Sequence, residues 1–218
     1  MSIEAGHTTY WQAKRGIVQS GLVLSLDAAV DASYISGTTW YDLSGGGDNG
    51  TLTNGPTFNR DNGGIIEFDG SDDYIDLGSI TLGSSISLSV WIYLKDSSSI
   101  QHIIDSSSNS WHFAIYGDQP YFYNGSTYPQ AQAIQLNTWY NLVLSFTTSS
   151  WYIYINGSLD LTADVSTSSF STNNIHIGRW QSGGRNLDGD IGSVQFYNRA
   201  ITADEVLQNY NATKGRFK

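Results

Sequence analysis

From Gly21 onward the chain passes, at intervals of about ten residues, from a short run of alternating apolar and polar side chains to a cluster of Gly, Asn, Asp or Ser, and back again. A period of two interrupted that often is met by β-strands joined through tight turns, and not by helices. "ISLSVWIYL" is the clearest case: Ile86, Leu88, Val90, Ile92 and Leu94 share one face, and Ser87, Ser89, Trp91 and Tyr93 the other. One face of such a strand is expected in a core. "WHFAIYG", "YFYNG", "TWYNLVLSFT", "WYIYING", "NIHIG" and "DIGSVQFYN" repeat the pattern, so the chain reads as an all-β sandwich or barrel.

Local chemistry supports individual joints. Asn156-Gly157 can both take the positive φ of a type I′ turn, which predicts a hairpin there. NGT at Asn49, NGS at Asn124 and Asn156, and NAT at Asn211 spell glycosylation acceptors, but turn chemistry explains the Asn-Gly pairs better. Only the C-terminal end reads as helical. Thr202-Ala203-Asp204-Glu205 forms a capping box, and Val206, Leu207 and Tyr210 give the apolar stripe of a short helix over about 203–211.

Composition sets bounds on chemistry. The 218 residues suit a single sandwich, and Cys is absent, which excludes disulfides, Cys-based zinc sites and thiol nucleophiles. The formal charge of −10 speaks against a nucleic-acid partner. Five of the ten Lys and Arg (Lys14, Arg15, Lys214, Arg216, Lys218) lie in the ends, leaving 5 against 19 Asp and Glu in residues 16–213. The first residues show no secretion signal, and no segment is apolar and long enough for a membrane span, so neither export nor a membrane partner is expected.

The stretch "WYDLSGGGDNG" at 40–50 is glycine-rich yet has no Lys and two carboxylates, which excludes a phosphate cradle. It is no EF-hand either, since position 12 counted from Asp42 is Thr53. It reads as a compact surface loop anchored by Trp40 and Tyr41. Taken with the segments on either side of it, though, the loop resembles a known pattern. "GLVLSLDAAVDASYISGTTWYDLSGGGDNGTLTNGPTF", "IIEFDGSDDYIDL", "SLSVWIYL", "NTWYNLVLSF", "WYIYINGSL" and "DGDIGSVQFYNRAITADEVLQNYNATKGRF" are together similar to a laminin-G-like domain of the concanavalin A-like lectin superfamily. More narrowly, they resemble the version found in structural proteins of tailed bacteriophages, cyanophages among them.

That resemblance implies a two-sheet antiparallel jelly roll with one short C-terminal helix, spanning 21–213, with 1–20 an N-terminal arm and 214–218 a basic tail. It implies a non-enzymatic virion protein, a capsid decoration or a tail or neck appendage, made in the host cytoplasm and present in multiple copies or as a homo-oligomer. Its partners would be other virion proteins and host-surface polysaccharide. A free carbohydrate-binding lectin and a degenerate glycoside hydrolase are the alternatives. The resemblance also implies Ca2+ near the Asp-x-Ser-Gly loop, here Asp42, with help from an acidic residue in the last strand. Gly192 stands where that acid usually falls, leaving Asp190 two residues earlier.

Three further constellations bear on chemistry. Glu67 and Asp69 lie on one strand face, as in some glucanases of this fold, but the further carboxylate of a retaining hydrolase is missing from the run. The four histidines, His7, His102, His112 and His176, show no H-x-x-x-H spacing and read as strand-face residues. The aromatics are more informative: Tyr121 and Tyr123 share a face, and "GRWQSGGRNLDG" sets Trp180 near Arg179 and Arg185 in a loop, the mixture of rings and donors on which sugars stack and bond. Tyr10, Trp11, Lys14 and Arg15 are the candidate docking residues of the N-terminal arm.

Overall fold

The computed structural model describes residues 16–106, 111–123, 125, 128–164 and 174–217. In chain order its strands are β1 (Leu22–Asp27), β2 (Thr39–Trp40), β3 (Gly50–Thr53), β4 (Thr57–Asn59), β5 (Ile65–Asp69), β6 (Tyr74–Gly78), β7 (Ile86–Leu94), β8 (Gln101–Asp105), β9 (His112–Tyr116), β10 (Gln119–Tyr123), β11 (Trp139–Phe146), β12 (Ser150–Ile155), β13 (Ser158–Asp164), β14 (Ile175–Ile177) and β15 (Asp188–Tyr197). Helix α1 (Ala203–Thr213) comes last.

The strands make two antiparallel sheets. The eight-stranded sheet runs β13-β12-β11-β7-β15-β5-β4, with β1 beside the second half of β15. The seven-stranded sheet runs β10-β9-β8-β14-β6-β3-β2. Apolar alternation decides which faces meet: Leu88, Ile92 and Leu144 from the first sheet pack against Ile104, Phe113 and Phe122 from the second, all fully buried in one core. The predicted hairpin is present, joining β12 to β13 through Asn156 at φ 52° and Gly157 at φ 81°.

The other face of β7 is buried as well, which alternation alone does not anticipate. Ser87 bonds Ser145 and the backbone carbonyl of Arg199, and the Trp91 ring lies stacked against Tyr210 at 5.7 Å and Phe217 at 4.3 Å. Helix α1 and the chain end cover this outer face. The helix begins with the predicted box, in which Glu205 N–H donates to Thr202 Oγ1 and Thr202 N–H to the Glu205 carboxylate. Beneath it a second apolar cluster joins Val18, Val143, Tyr154, Tyr197, Ile201 and Val206.

Both expected domain ends are corrected. Residues 16–20 belong to the fold: Val18 N–H donates to Asn209, Tyr197 Oη–H donates to the Val18 carbonyl, and Gln208 reaches the Gly16 carbonyl. The basic tail is structural too. Arg216 pairs with Asp27 at 2.5 Å and donates to the carbonyls of Asn62 and Gly64, while Phe217 is buried between Trp91 and Trp139. Lys214 closes the helix, its N–H donating to the Tyr210 carbonyl. Tyr10, Trp11, Lys14 and Arg15 lie outside the described residues.

Candidate functional site

Among the described residues no helix covers the outer face of the seven-stranded sheet. Partners across the ladder point the same way, so the pairing of Tyr123 with His112, Tyr121 with Ala114, and Asp105 with both His112 and His176 lines those side chains on one face, opposite the core-facing Phe113 and Phe122. The segment 178–187 folds over part of this face. It is pinned to β8 by Gly178 N–H to the Ile103 carbonyl and His102 N–H to the Arg185 carbonyl, and it closes on itself through Gly183 N–H to the Trp180 carbonyl.

Between that segment and β9–β10 lies an open cleft of about 520 Å³, lined by His112, Tyr121, Tyr123, Tyr128, Trp180 and Arg185 among others. That is within the usual size range for small-ligand pockets. Tyr123 stacks on the His112 ring at 4.8 Å, Tyr121 meets Tyr128 edge-on at 6.2 Å, and the Arg185 guanidinium sits 4.5 Å over the Trp180 ring. Tyr128 is 62% exposed, a large ring left in water at the mouth. Burial raises the Tyr121 pKa, with Arg185 opposing. Burial also lowers that of His112 to about 3, helped by His102 and Arg185, so the ring is neutral near pH 7. The cleft therefore offers flat aromatic faces, phenol hydroxyls and one exposed guanidinium.

Of the five candidate glycan residues, Tyr121, Tyr123, Trp180 and Arg185 converge here, and Arg179 does not. Its guanidinium lies 3.7 Å from the centre of the Tyr74 ring on β6, away from the cleft lining. His112, Tyr128 and Tyr116 join the site without having been expected. The pairing of His112 with Tyr123 was the available signal, since it results from closing "WHFAIYGDQPYFYNG" as a hairpin.

Asp42 and Asp190 do not converge. Asp42 Oδ1 accepts from the N–H groups of Ser25 and Ser44, and Oδ2 from Ser44 Oγ and Gly47 N–H. Partial burial disfavours its charge, but those four hydrogen bonds outweigh it and hold its pKa below the ordinary value. Ser25 pairs with Gln195, five residues along β15 from Asp190, or roughly 15 Å. There Asp190 bonds Lys95 at 2.5 Å, and burial raises its pKa despite that partner. The residues thus do not fit a shared calcium, which needs six to eight oxygens around one point. Next to Gly192 the positive charge is the chain's own Arg216, and a Cβ at Gly192 would stand 2.5 Å from the Phe217 ring, leaving no room for the acid of the resembled pattern. In the 40–50 loop Trp40 is fully buried as expected, whereas the Tyr41 side chain is half exposed and its backbone is tied to Ser33, whose carbonyl accepts the Tyr41 N–H and whose hydroxyl donates to the Tyr41 carbonyl.

Glu67 accepts from Thr57 and Asn59 and lies opposite Asp190 in the ladder. The "FDGSDDY" run is a corner, with Asp69 N–H donating to the Asp73 carboxylate, and burial first raises the Asp73 pKa.

Comparison with known proteins agrees with this architecture. A family model described as the concanavalin A-like lectin/glucanases superfamily matches residues 69–207. No curated protein sequence is significantly similar to the chain. Among solved structures, domain 4 of AbnA, an extracellular arabinanase from Geobacillus stearothermophilus in complex with arabinotriose, superimposes with a TM-score of 0.71 at 15% identity, over 88% of this chain and 98% of that one. The receptor-binding domain of botulinum neurotoxin type G gives 0.66 at 19% identity, over 88% of this chain and 51% of that one. Trypanosoma rangeli sialidase with the inhibitor DANA gives 0.72 at 12%, over 94% of this chain and 35% of that one. At these identities the likeness is one of fold.

Proposed function

Because the chain belongs to the concanavalin A-like lectin/glucanases superfamily, we propose that it is a non-enzymatic carbohydrate-binding domain whose glycan lies in the cleft of Tyr121, Tyr123, Tyr128, Trp180 and Arg185, carried in multiple copies on the surface of a tailed-phage virion. The observation that carries the carbohydrate reading is the convergence of aromatic rings, with Tyr128 exposed at the mouth, and an exposed guanidinium at one open cleft on an otherwise acidic chain. Sugar C–H faces stack on rings such as Tyr128 and Trp180, and the Arg185 and tyrosine hydroxyl groups bond sugar hydroxyls. The arabinotriose complex of AbnA domain 4, nearly all of which this chain covers, supports a stand-alone binding module of this size. The virion placement rests on the ordered motifs from "GLVLSLDAAVD" to "NATKGRF", which resemble tailed-phage structural proteins.

Two measurements test this reading. On a glycan array the purified chain should bind a restricted set of polysaccharides, and Trp180→Ala should weaken binding to that set by about tenfold or more while the protein stays folded. Binding unaffected by Trp180→Ala would remove the cleft. In a density gradient of source lysate the protein should travel with phage-sized particles; recovery only in the soluble fraction would leave a free lectin.

A further inference from the structure

Behind the cleft wall lies a group of side chains that the carbohydrate reading does not use. His102 and Asp105 on β8 and His112 on β9 point into one another's space: His102 Nδ1 stands 3.3 Å from Asp105 Oδ1, and His112 Nδ1 stands 3.8 Å from the same oxygen. One donor atom from each of the three residues falls within 4.8 Å of the others. Donors bound tetrahedrally at 2.0–2.2 Å from a zinc ion are about 3.4 Å apart, so the two measured edges lie within a few tenths of an ångström of that spacing.

His102 and Asp105 are fully buried and His112 is 6% exposed, yet His102 Nδ1, His112 Nδ1 and Asp105 Oδ1 have no hydrogen-bond partner among the described residues. The approach of His102 to Asp105 is out of line for a hydrogen bond. A buried carboxylate oxygen facing two imidazole nitrogens, with none of the three atoms hydrogen-bonded among the described residues, is a costly arrangement that a bound ion between them would relieve. Surrounding contacts hold two of the three side chains in that attitude. Asp105 Oδ2 accepts the Gln181 N–H at 2.8 Å, which aims Oδ1 at the histidines. His112 Nε2 lies 3.2 Å from Tyr121 Oη; donation from Nε2 to the phenol leaves the Nδ1 lone pair free toward Asp105. Orienting bonds of this kind on the far side of a ligand are what metal sites use; Asp105 and His112 have them, whereas His102 Nε2 has no hydrogen-bond partner among the described residues.

We propose that His102, Asp105 and His112 bind one divalent transition-metal ion of the zinc type, through His102 Nδ1, His112 Nδ1 and Asp105 Oδ1. Two imidazoles and a carboxylate suit zinc and its neighbours rather than calcium or magnesium, which take oxygen. Three protein donors leave a further coordination position to water or ligand. The ion would brace the β8–β9 wall and, through the His112–Tyr121 contact, fix one ring of the cleft.

The test is calorimetric titration of the chelator-stripped full chain with zinc sulfate. One ion per chain is expected, with a loss of about a hundredfold or more in affinity for both Asp105→Asn and His102→Gln. Absence of saturable binding to folded wild type overturns the site, and so does binding undiminished in both variants, which would place the ion elsewhere. Should either variant fail to fold, 15N NMR of the wild-type imidazoles decides. Zinc should move Nδ1 of His102 and His112, and movement confined to His7 or His176 overturns the proposal. No glycan enters this experiment, so its failure is separable from failure of the carbohydrate reading.

Discussion

On the eight-stranded sheet Trp91 points away from the core into a second packed layer, with Tyr210 and Phe217 against its ring and its Nε1–H donated to Thr213. On the seven-stranded sheet Tyr123 likewise points away from the core, stacks on His112, and then meets an open cleft. Both residues come from strands of the same alternating kind, and both are aromatics on the polar phase of the alternation. The difference is made elsewhere in the chain: the helix and the last residues return to cover one outer face and leave the other. What is covered becomes a second core and what is left open keeps room for a ligand; buried polar atoms with no hydrogen-bond partner among the described residues occur on both, Asn141 Oδ1 and Ser193 Oγ beside Trp91 and those of His102, Asp105, His112 and His176 on the open sheet. Function is therefore sought where the fold stops packing.

The comparison breaks most readily at Trp91. Trp91→Ala should destabilise the protein by about 3–5 kcal/mol, because a fully packed ring is deleted together with its hydrogen bond. The readout is the urea midpoint, and glycan affinity of the protein that remains folded should be unchanged. A loss below about 1 kcal/mol, well short of the usual cost of deleting a core ring, would mean that the covered face is not a core. On the open face the expected effects are reversed. Tyr123→Ala or Trp180→Ala should weaken glycan binding by about tenfold or more, about 1.4 kcal/mol, with little change in the urea midpoint. Arg179→Ala sharpens the boundary: stacked on Tyr74, it should leave affinity where it was. A loss equal to that of Trp180→Ala would extend the site toward β6.

The sandwich, the Asn156-Gly157 hairpin, the capping box and the face shared by Tyr121 and Tyr123 were legible because each depends on residues within one turn or one strand. The convergence of those two tyrosines with Trp180 and Arg185 was legible in part, since rings and donors mark sugar chemistry wherever they meet. Arg179 was misplaced because neighbours in a loop need not point the same way. The metal cluster was hidden by a bulge. On a regular strand His102 and Asp105, three apart, face opposite sides, but β8 shifts register between His102 and Ile104, so both Ile103 and Ile104 turn to the core and the two polar side chains share the outer face. Nothing in the string "QHIID" announces that extra residue. The Asp42 and Asp190 pairing failed for the related reason that a carried-over ligand position depends on what packs there, and here Phe217 fills the space beside Gly192.

The smallest expected effect concerns how the covering element is fastened. Arg199 bonds both oxygens of Glu205, at 2.8 and 2.7 Å, and this pair is the main reason that the Glu205 pKa lies below its usual 4.5; partial burial opposes it and the Thr202 N–H assists. A carboxylate with a depressed folded-state pKa contributes stability that is fully present above the unfolded value and is lost as pH falls through the folded one. Glu205→Gln keeps an oxygen for the Thr202 N–H, and so preserves the box, while removing the charge. The wild type should therefore exceed Glu205→Gln in urea midpoint at pH 7, and the gap should close as pH drops below about 4.5. With both partners roughly a third exposed, the gap corresponds to at most about 1 kcal/mol. A gap that does not narrow at all as pH falls from 7 through the acid range would show that the charge of Glu205 is not its source. Because this fastening acts on the covered face alone, glycan affinity should not follow it at any pH where the protein is folded.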